Sequence, residues 1–200
     1  MNAGIALLWI LFAFFCGSIP LSYWLGLAVL KVDIRQYGDG NPGGTNVWKA
    51  GGWRWGMLAI LLDAFKGLVP VALADYAAHL IGWLLVAVCL APLLGHAYTP
   101  FLNFQGGKSL ATTFGVWTAL TLYEAPLVLG ISMGLGIWLL HNEGWAVLFG
   151  SLVLLVYLLI WNPTPVFLAV WAGSSALLIW RYRDMLRNAP PRFGQNTKDS

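Results

Sequence analysis

Charge is the scarcest property of this 200-residue chain. Asp, Glu, Lys and Arg make up 10% of the residues, whereas hydrophobic residues make up 59%. Soluble domains carry about a quarter charged residues, so the composition excludes an ordinary water-soluble domain. The net charge is only +3, and basic and aromatic residues are not interleaved as a nucleic-acid groove requires. We therefore expect contact with membrane lipids and none with nucleic acid.

Cysteine is nearly absent as well. Cys16 and Cys89 both lie in apolar stretches, where small buried residues are more typical than a disulfide or a nucleophile. No spacing among histidines, cysteines and carboxylates indicates a metal site, and we expect no cofactor. The N-terminus lacks the basic segment that opens a signal peptide, so we expect the first apolar run to remain as a helix.

Long apolar runs are what the chain has in abundance. A run of about 20 apolar residues can cross the bilayer core as a helix, and we predict seven such spans. They cover residues 3–30, 55–77, 80–95, 109–123, 125–140, 145–160 and 165–180. The sequence thus predicts an all-α polytopic membrane protein. Residues 1–187 would form one seven-span domain, and the polar residues 188–200 a flexible tail.

The positions of the basic residues predict the orientation, because Lys and Arg beside spans favour the cytoplasmic side. Apart from Lys66, they lie in the first and third connections and in the C-terminal segment, which share one face if the spans number seven. The intervening connections carry none. We predict an N-terminus outside the cell and a C-terminus in the cytoplasm.

Asp63 and Lys66 are an acidic and a basic residue inside a predicted span. Their i,i+3 spacing places them on one face of a helix, where they can pair. Ionisable groups in a span are costly and usually face the protein interior or a polar cavity. Two interpretations stay open: a salt bridge that only fixes helix packing, or a polar cavity below the cytoplasmic loops.

Two glycine-rich loops, 38–46 and 95–108, offer backbone that an anion can approach closely. The first formally contains G-x-G-x-x-G, but no β-strand of a nucleotide fold precedes it. The second ends in Gly107-Lys108-Ser109, yet Leu102 occupies the place of the first P-loop glycine. Lys108 would add a full positive charge, and His96 lies beside this loop. The pair of loops favours a phosphate-handling site.

Three blocks of residues, in this order along the chain, resemble the motifs of the PlsY-type acyl-phosphate:glycerol-3-phosphate acyltransferases of bacterial membranes. The first block is Gly17-Ser18-Ile19-Pro20, Tyr23, Asp33-Ile34-Arg35, Gly38, Gly40-Asn41, Gly43 and Thr45-Asn46. The second is Asp63 with Lys66-Gly67. The third is Gly95-His96, Phe101, Phe104, Gly106-Gly107-Lys108 and Ala111-Thr112. Together they cover residues 17 to about 115.

The resemblance implies transfer of a fatty acyl group from acyl phosphate to glycerol 3-phosphate in phospholipid synthesis, without a covalent acyl-enzyme. It also implies a bacterial inner-membrane protein with a cytoplasmic active site, linked in function to an enzyme that forms acyl phosphate. The candidate catalytic residues are Asp39, Lys108 and His96. The candidate substrate- and phosphate-binding residues are Asn41, Gly43, Gly44, Thr45, Asn46, Lys49, Lys66, Gly106 and Gly107. Asp63 and Arg35 are candidate supporting residues.

Several positions depart from the family pattern: Asp39 replaces serine, Gly44 alanine, Lys49 arginine, Thr99 proline and Ser109 glycine, and Tyr182 and Met185 stand in the last motif. A carboxylate beside a phosphate is unfavourable, so Asp39 must pair with a cation, turn away or have another task. We hypothesise that it accepts the proton of the attacking hydroxyl and pairs with a cation such as Lys108.

Two other functions remain compatible with the sequence. A divergent paralogue could bind acyl phosphate or a lipid precursor without converting it. A small-anion transporter fits less well, because the spans show no inverted repeat.

Overall fold

A computed structural model describes residues 3–187, which contain α-helices, short 3-10 and π-helical turns and no β-strand. The α-helices are α1 (Ala3–Ser18), α2 (Leu21–Leu25), α3 (Gly44–Gly51), α4 (Trp53–Ala72), α5 (Gly82–Ala97), α6 (Leu110–Thr121), α7 (Glu124–Leu140), α8 (Glu143–Trp161) and α9 (Pro165–Leu186). The predicted all-α class is confirmed. The predicted flexible tail, residues 188–200, lies outside the described residues.

Within residues 3–187, four helical segments are long and apolar enough to cross a membrane. They are Ala3–Leu30, Trp53–Ala77, Gly82–Leu102 and Glu143–Trp161, and Glu124–Leu140 is a shorter apolar helix. The count of seven spans and the orientation of the termini stay predictions. The chain divides into two compact units, Met1–Leu122 and Tyr123–Ser200, and the single domain expected over residues 1–187 also stays a prediction.

Small residues bring the helices of the first unit together. A Cβ at Gly17 of α1 would collide with the backbone of Pro92 in α5, and a Cβ at Gly115 of α6 would collide with the backbone of Ala64 in α4. Close backbone approach of this kind is typical of helix pairs in membranes, where van der Waals packing replaces the hydrophobic effect between helices. It holds α1 against α5 and α4 against α6.

The chain between α1 and α2 breaks the helix at Ile19 and Pro20. Carbonyl groups at the C-terminal end of a helix lack the N–H partners that a continuing helix would supply. Two carbonyl oxygens at the end of α1 accept from side chains: the hydroxyl of Thr99 donates to Ser18 O at 2.5 Å, and Lys66 Nζ donates to Ile19 O at 2.9 Å. Ile19 O also accepts from the backbone N–H of Leu21 at 2.9 Å. The break therefore supplies buried acceptors, beyond the tolerated kink that a lone proline suggests.

The second unit is held by uncharged polar contacts. The hydroxyls of Ser151 in α8 and Ser175 in α9 lie 2.6 Å apart, and the indole N–H of Trp171 donates to Ser151 O at 2.8 Å. The amide of Asn142, which precedes α8, donates to Met185 O at 3.2 Å. Tyr182 is buried. Tyr182 and Met185, the two altered positions of the last motif, both lie in α9.

Candidate active site

A buried polar cluster lies where α4 meets α5 and the break after α1. Lys66 Nζ is 2.8 Å from Asp63 Oδ1 and 2.9 Å from both Ile19 O and His96 Nδ1. Asp63 and Lys66 are 2% and 6% exposed. Ile19 O and His96 Nδ1 accept hydrogen bonds from the ammonium group, whereas Asp63 Oδ1 is its ion-pair partner and has no hydrogen-bond partner. The i,i+3 pairing of Asp63 and Lys66 expected from the sequence is present.

Asp63 is held on its other side as well. The hydroxyl of Ser22 donates to Asp63 Oδ2 at 2.5 Å, and the hydroxyl of Thr112 in α6 donates to Asp63 O at 3.0 Å. Sequence reasoning did not single out Ser22. Its position two residues after Pro20, inside the polar break of an apolar run, was the signal that could have identified it.

A small cavity lies beside this cluster, with room for about one water molecule. It connects the cluster with both glycine-rich loops, because residues from each of them contribute to its wall. The lining residues are Ser18, Pro20, Pro42, Lys66, His96, Thr99, Leu102, Gly106 and Gly107. The two interpretations of the Asp63–Lys66 pair therefore both hold: the residues form a salt bridge, and Lys66 lines a polar cavity.

The first loop folds around the carboxylate of Asp39. Asp39 Oδ1 accepts hydrogen bonds from the backbone N–H of Asn41 and from Asn46 Nδ2, both at 3.1 Å. Asn46 Nδ2 also donates to Asn41 O at 2.9 Å, and its residue is 1% exposed. Asn46 thus uses its amide to shape the loop. Its Oδ1 atom is buried without a hydrogen-bond partner and lies against Gly38.

The second oxygen of Asp39 pairs with the second loop. Lys108 Nζ lies 2.5 Å from Asp39 Oδ2, and the two side chains are 15% and 33% exposed. Burial raises the pKa of Asp39, but the hydrogen bond and charge of Lys108, with the donors of Asn41 and Asn46, outweigh it and lower the pKa below its usual value. The carboxylate is therefore ionised at neutral pH. Because Gly107 and Pro42 line the cavity, the pair lies next to it.

Gly106 and Gly107 direct their backbone N–H groups towards the end of α5. Gly106 N donates to Ala97 O at 3.1 Å and Gly107 N to His96 O at 3.0 Å. A Cβ at Gly107 would collide with the His96 ring at Nε2. These glycines therefore let the loop lie directly on the imidazole, which brings Lys108 to the cavity.

Two of the altered positions carry hydroxyls that fix the second loop. Ser109 has a left-handed φ of 65°, where glycine is favoured, and its hydroxyl donates to Leu93 O at 2.8 Å. The hydroxyl of Thr99 makes the bond to Ser18 O described above. Both side chains are buried, so each replacement makes a hydrogen bond of its own to a helix carbonyl.

The remaining candidate residues lie outside the buried Asp63–Lys66–His96 cluster and the Asp39–Lys108 pair. Arg35 pairs with Asp33 at 2.6 Å and covers the ring of Tyr23 at 4.8 Å, and its hydrogen bond and charge lower the pKa of Asp33. Gly44, the first residue of α3, packs against Ile60 of α4. In α3, Thr45 and Lys49 are exposed.

Arg35 therefore anchors the start of the first loop and belongs to neither the Asp39–Lys108 pair nor the Asp63–Lys66–His96 cluster. Among residues 3–187, no group of three or more His, Cys, Asp and Glu side chains has a geometry that could hold a metal ion.

Comparison with known proteins identifies the family of the chain. A family model described as glycerol-3-phosphate acyltransferase matches residues 7–189. The chain is 33% identical to glycerol-3-phosphate acyltransferase 1 of Thermotoga maritima, covering 87% of this chain and 92% of the relative. It is 34% identical to a glycerol-3-phosphate acyltransferase of Prochlorococcus marinus, covering 94% and 98%.

The fold also has a solved counterpart. The crystal structure of PlsY (YgiH), an integral membrane glycerol 3-phosphate acyltransferase in its glycerol 3-phosphate form, superposes with a TM-score of 0.81 at 32% sequence identity. The superposition covers 92% of this chain and 91% of that one. The lysophosphatidic acid form of that protein gives the same TM-score at 31% identity.

Proposed function

This chain belongs to the glycerol-3-phosphate acyltransferase family, and we propose that it transfers a fatty acyl group from acyl phosphate to the 1-hydroxyl of glycerol 3-phosphate. The products are 1-acyl-glycerol 3-phosphate and inorganic phosphate. The observation that carries the assignment to this site is the Asp39–Lys108 ion pair, which joins the two loops beside the cavity.

Asp39 and a phosphate group compete for the same donors in this proposal. The carboxylate accepts from Lys108 Nζ, Asn41 N and Asn46 Nδ2, which are the kinds of donor that phosphate oxygens use. The cavity is too small for a phosphate group as it stands, so acyl phosphate enters by separating Lys108 from Asp39. Lys108 then pairs with the phosphate of the donor.

Lys108 contributes electrostatic stabilisation. During attack, a bond forms between the 1-hydroxyl oxygen of glycerol 3-phosphate and the acyl carbon, and the bond from that carbon to the phosphate oxygen breaks. Negative charge builds up on the carbonyl oxygen and on the leaving phosphate, where a nearby ammonium is most effective. Acyl phosphate is already activated, so the protein mainly positions two anionic substrates and offsets their charge.

Asp39 accepts the hydroxyl proton. While Lys108 pairs with Asp39, it lowers the pKa of Asp39, which makes the carboxylate a weak base. Once the phosphate has taken Lys108, that influence is lost and a second anion lies nearby, and both changes raise the proton affinity of the carboxylate. The proton then passes to the departing phosphate, which leaves Asp39 ready to pair with Lys108 again.

The phosphate of glycerol 3-phosphate binds at the first loop and the start of α3. Thr45 and Lys49 are exposed there, and Lys49 Nζ lies beside Gly38, so one cation and one hydroxyl are available. Asn41, Gly43 and Gly44 supply the close backbone, and Asn46 keeps the loop in shape. Gly106, Gly107 and Lys66 line the cavity on the acyl phosphate side.

The protein lies in the bacterial inner membrane with its site on the cytoplasmic face. The basic residues beside the predicted spans support this orientation, as does the solubility of glycerol 3-phosphate in water. Seven spans place the N-terminus outside and the C-terminus inside. An enzyme that forms acyl phosphate is the expected functional partner, since the donor must be supplied at the same membrane.

One observation favours a second function, a non-catalytic relative that only binds acyl phosphate or a lipid precursor. The carboxylate of Asp39 already occupies Lys108. If that pair never separates in the presence of the donor, Lys108 cannot assist the leaving group. Catalysis requires Lys108 to separate from Asp39 and to pair with the phosphate of the donor.

Purified protein in lipid vesicles, supplied with acyl phosphate and glycerol 3-phosphate, tests the assignment. We expect equal amounts of 1-acyl-glycerol 3-phosphate and inorganic phosphate. Lys108→Met is the matched control, because it removes the cation and leaves the helices intact. Binding of acyl phosphate without product would support the non-catalytic relative, and phosphate flux across the vesicle without product would support a transporter.

A further inference from the structure

We propose that Lys66 is a positioning residue that holds His96 as the neutral tautomer with its proton on Nε2, so that His96 presents a hydrogen-bond donor to an oxygen of acyl phosphate. The role of the donor rests on the proposed function, whereas the tautomer can be measured without substrate.

The neighbours of Lys66 fix the direction of its protons. The ammonium has Asp63 Oδ1 at 2.8 Å, Ile19 O at 2.9 Å and His96 Nδ1 at 2.9 Å. Lys66 donates two of its protons to Ile19 O and His96 Nδ1, and its charge is paired with Asp63 Oδ1. It therefore lines the cavity without being the group that binds phosphate in this conformation.

The contact with Lys66 determines the protonation of the imidazole. The ammonium has no lone pair, so Nδ1 must be the acceptor in this contact. A proton on Nδ1 would point at the ammonium, which excludes both the other neutral tautomer and the imidazolium. The remaining form carries its proton on Nε2.

Two charged groups of α4, Lys66 and Asp63, face the His96 ring, and Asp63 Oδ1 lies 4.0 Å from Nδ1. The pocket walls from α1 and the second loop contribute Ser18 and Thr99, which are uncharged. The carboxylate of Asp63 is paired with Lys66, so it does not favour a charged imidazole.

The position of Nε2 connects this cluster to the chemistry. The ring lines the cavity, and Nε2 lies against Gly107, next to Lys108. An Nε2–H group at this point can donate to a phosphoryl oxygen or to the acyl carbonyl oxygen. Because its nitrogen carries the proton, His96 is a donor and not the base, which leaves proton acceptance to Asp39.

Nitrogen-15 NMR of protein labelled at histidine tests the tautomer directly. The chain has three histidines, and spectra of His96→Gln and His79→Gln assign the signals. We expect the His96 ring of the wild-type protein at pH 7 to show a protonated Nε2 and an unprotonated Nδ1. A protonated Nδ1, in either a neutral or a charged ring, would overturn the proposal.

Variants of Lys66 test its part in the effect. Lys66→Arg keeps a cationic donor and should retain the Nε2–H form, whereas Lys66→Met removes the donor to Nδ1 and should give a mixture of tautomers. An unchanged tautomer in a folded Lys66→Met protein would refute the positioning role. If this variant does not fold, the wild-type spectrum still decides the question.

Measurements of kcat test whether the Nε2–H group of His96 takes part in the reaction, separately from which tautomer the ring adopts. His96→Gln keeps an N–H donor and should lose about tenfold in kcat, whereas His96→Leu should lose about 100-fold or more, as expected for removal of a transition-state donor. Equal losses in the two variants would show that the Nε2 proton has no part in the reaction. A wild-type protein without transferase activity but with the expected tautomer would refute the proposed function alone.

Discussion

Two Asp–Lys pairs serve this site, and their surroundings differ. Asp63 and Lys66 belong to one helix, with side chains 2% and 4% exposed, and further acceptors and donors surround both. Asp39 and Lys108 come from separate loops and are 33% and 15% exposed; Pro42 and Gly107 of these loops line the cavity. The comparison shows that pairs of the same chemistry acquire different roles through burial and through the rigidity of the backbone that carries them.

The physical reason lies in the cost of separating the charges. A buried charge that loses its partner keeps its desolvation cost and gains nothing in return, so a pair such as Asp63–Lys66 stays closed. An accessible pair can exchange its partner for water or for another anion at a small net cost. The first pair therefore fixes the framework, and the second pair can bind and release a ligand.

The largest expected effect is loss of stability when the buried pair is broken. Asp63→Ala leaves Lys66 without its carboxylate and should lower the free energy of unfolding by about 3–5 kcal/mol. Thermal unfolding of the purified protein in detergent measures this change. Lys108→Met is the matched control and should change stability by less than about 1 kcal/mol; similar losses in both variants would remove the distinction between the pairs.

The next effect is on catalysis at the accessible Asp39–Lys108 pair. Lys108→Met should lower kcat by about 10²–10³-fold, because the cation that stabilises the leaving phosphate is removed. Steady-state release of phosphate measures it, with Lys49→Met as a control that should act mainly on the KM for glycerol 3-phosphate. A Lys108→Met enzyme with normal kcat would place the phosphate of the donor elsewhere.

A smaller effect concerns competition between Asp39 and phosphate. Asp39→Asn removes the resident negative charge, so inorganic phosphate should bind about fivefold more tightly, which corresponds to about 1 kcal/mol for two charges in a largely aqueous setting. Inhibition by phosphate or calorimetric titration measures the change. Unchanged or weaker phosphate binding in Asp39→Asn would mean that the carboxylate and the phosphate do not share Lys108.

The accessible Asp39–Lys108 pair also predicts that stability depends on pH. The pKa of Asp39 is lowered in the folded protein, so the ion pair contributes its full stability above the usual aspartate pKa of about 3.9 and loses it as pH falls through the lower folded value. The difference in melting temperature between wild type and Asp39→Asn should be constant from pH 8 to about pH 5 and shrink below pH 4. A difference that disappeared near pH 6 would indicate a raised pKa instead.

The smallest expected effect lies in the second unit. Ser175→Ala removes the hydroxyl contact with Ser151 and should cost about 0.6 kcal/mol, typical of such bonds between membrane helices, with no change in kcat. Comparison of its unfolding and transfer rates with those of the wild type measures both. A large loss of activity would show that the charged cluster of the first unit is not sufficient to explain the reaction.

The sequence predicted those features that depend on local pattern. Apolar runs located the helices because a helix in lipid must satisfy its own backbone groups over a fixed length. The i,i+3 spacing predicted the Asp63–Lys66 pair. An unpaired carboxylate beside a phosphate site is unfavourable, so a cation was one of three options for Asp39, and the hypothesis named Lys108 as its partner.

Features that depend on the path of the chain were not predictable in the same way. Ser22 reaches Asp63, and Thr99 reaches Ser18 O, only because the helix breaks at Ile19 and Pro20. The glycines of the second loop were expected to offer N–H groups to an anion, yet those of Gly106 and Gly107 donate to the end of α5. A glycine-rich sequence indicates that the backbone approaches another group closely, but it does not determine where each backbone N–H group points.

The role of Asp39 in transfer can be measured by single-turnover reaction of acyl phosphate with glycerol 3-phosphate, using the wild type and Asp39→Ala in the same lipid vesicles. We expect the wild type to form 1-acyl-glycerol 3-phosphate and phosphate in equal amounts. We expect transfer by Asp39→Ala to be slowed by about 10²-fold or more, because the proton acceptor is lost. A wild type that binds acyl phosphate without forming product, or an Asp39→Ala variant with full transfer activity, would contradict that role.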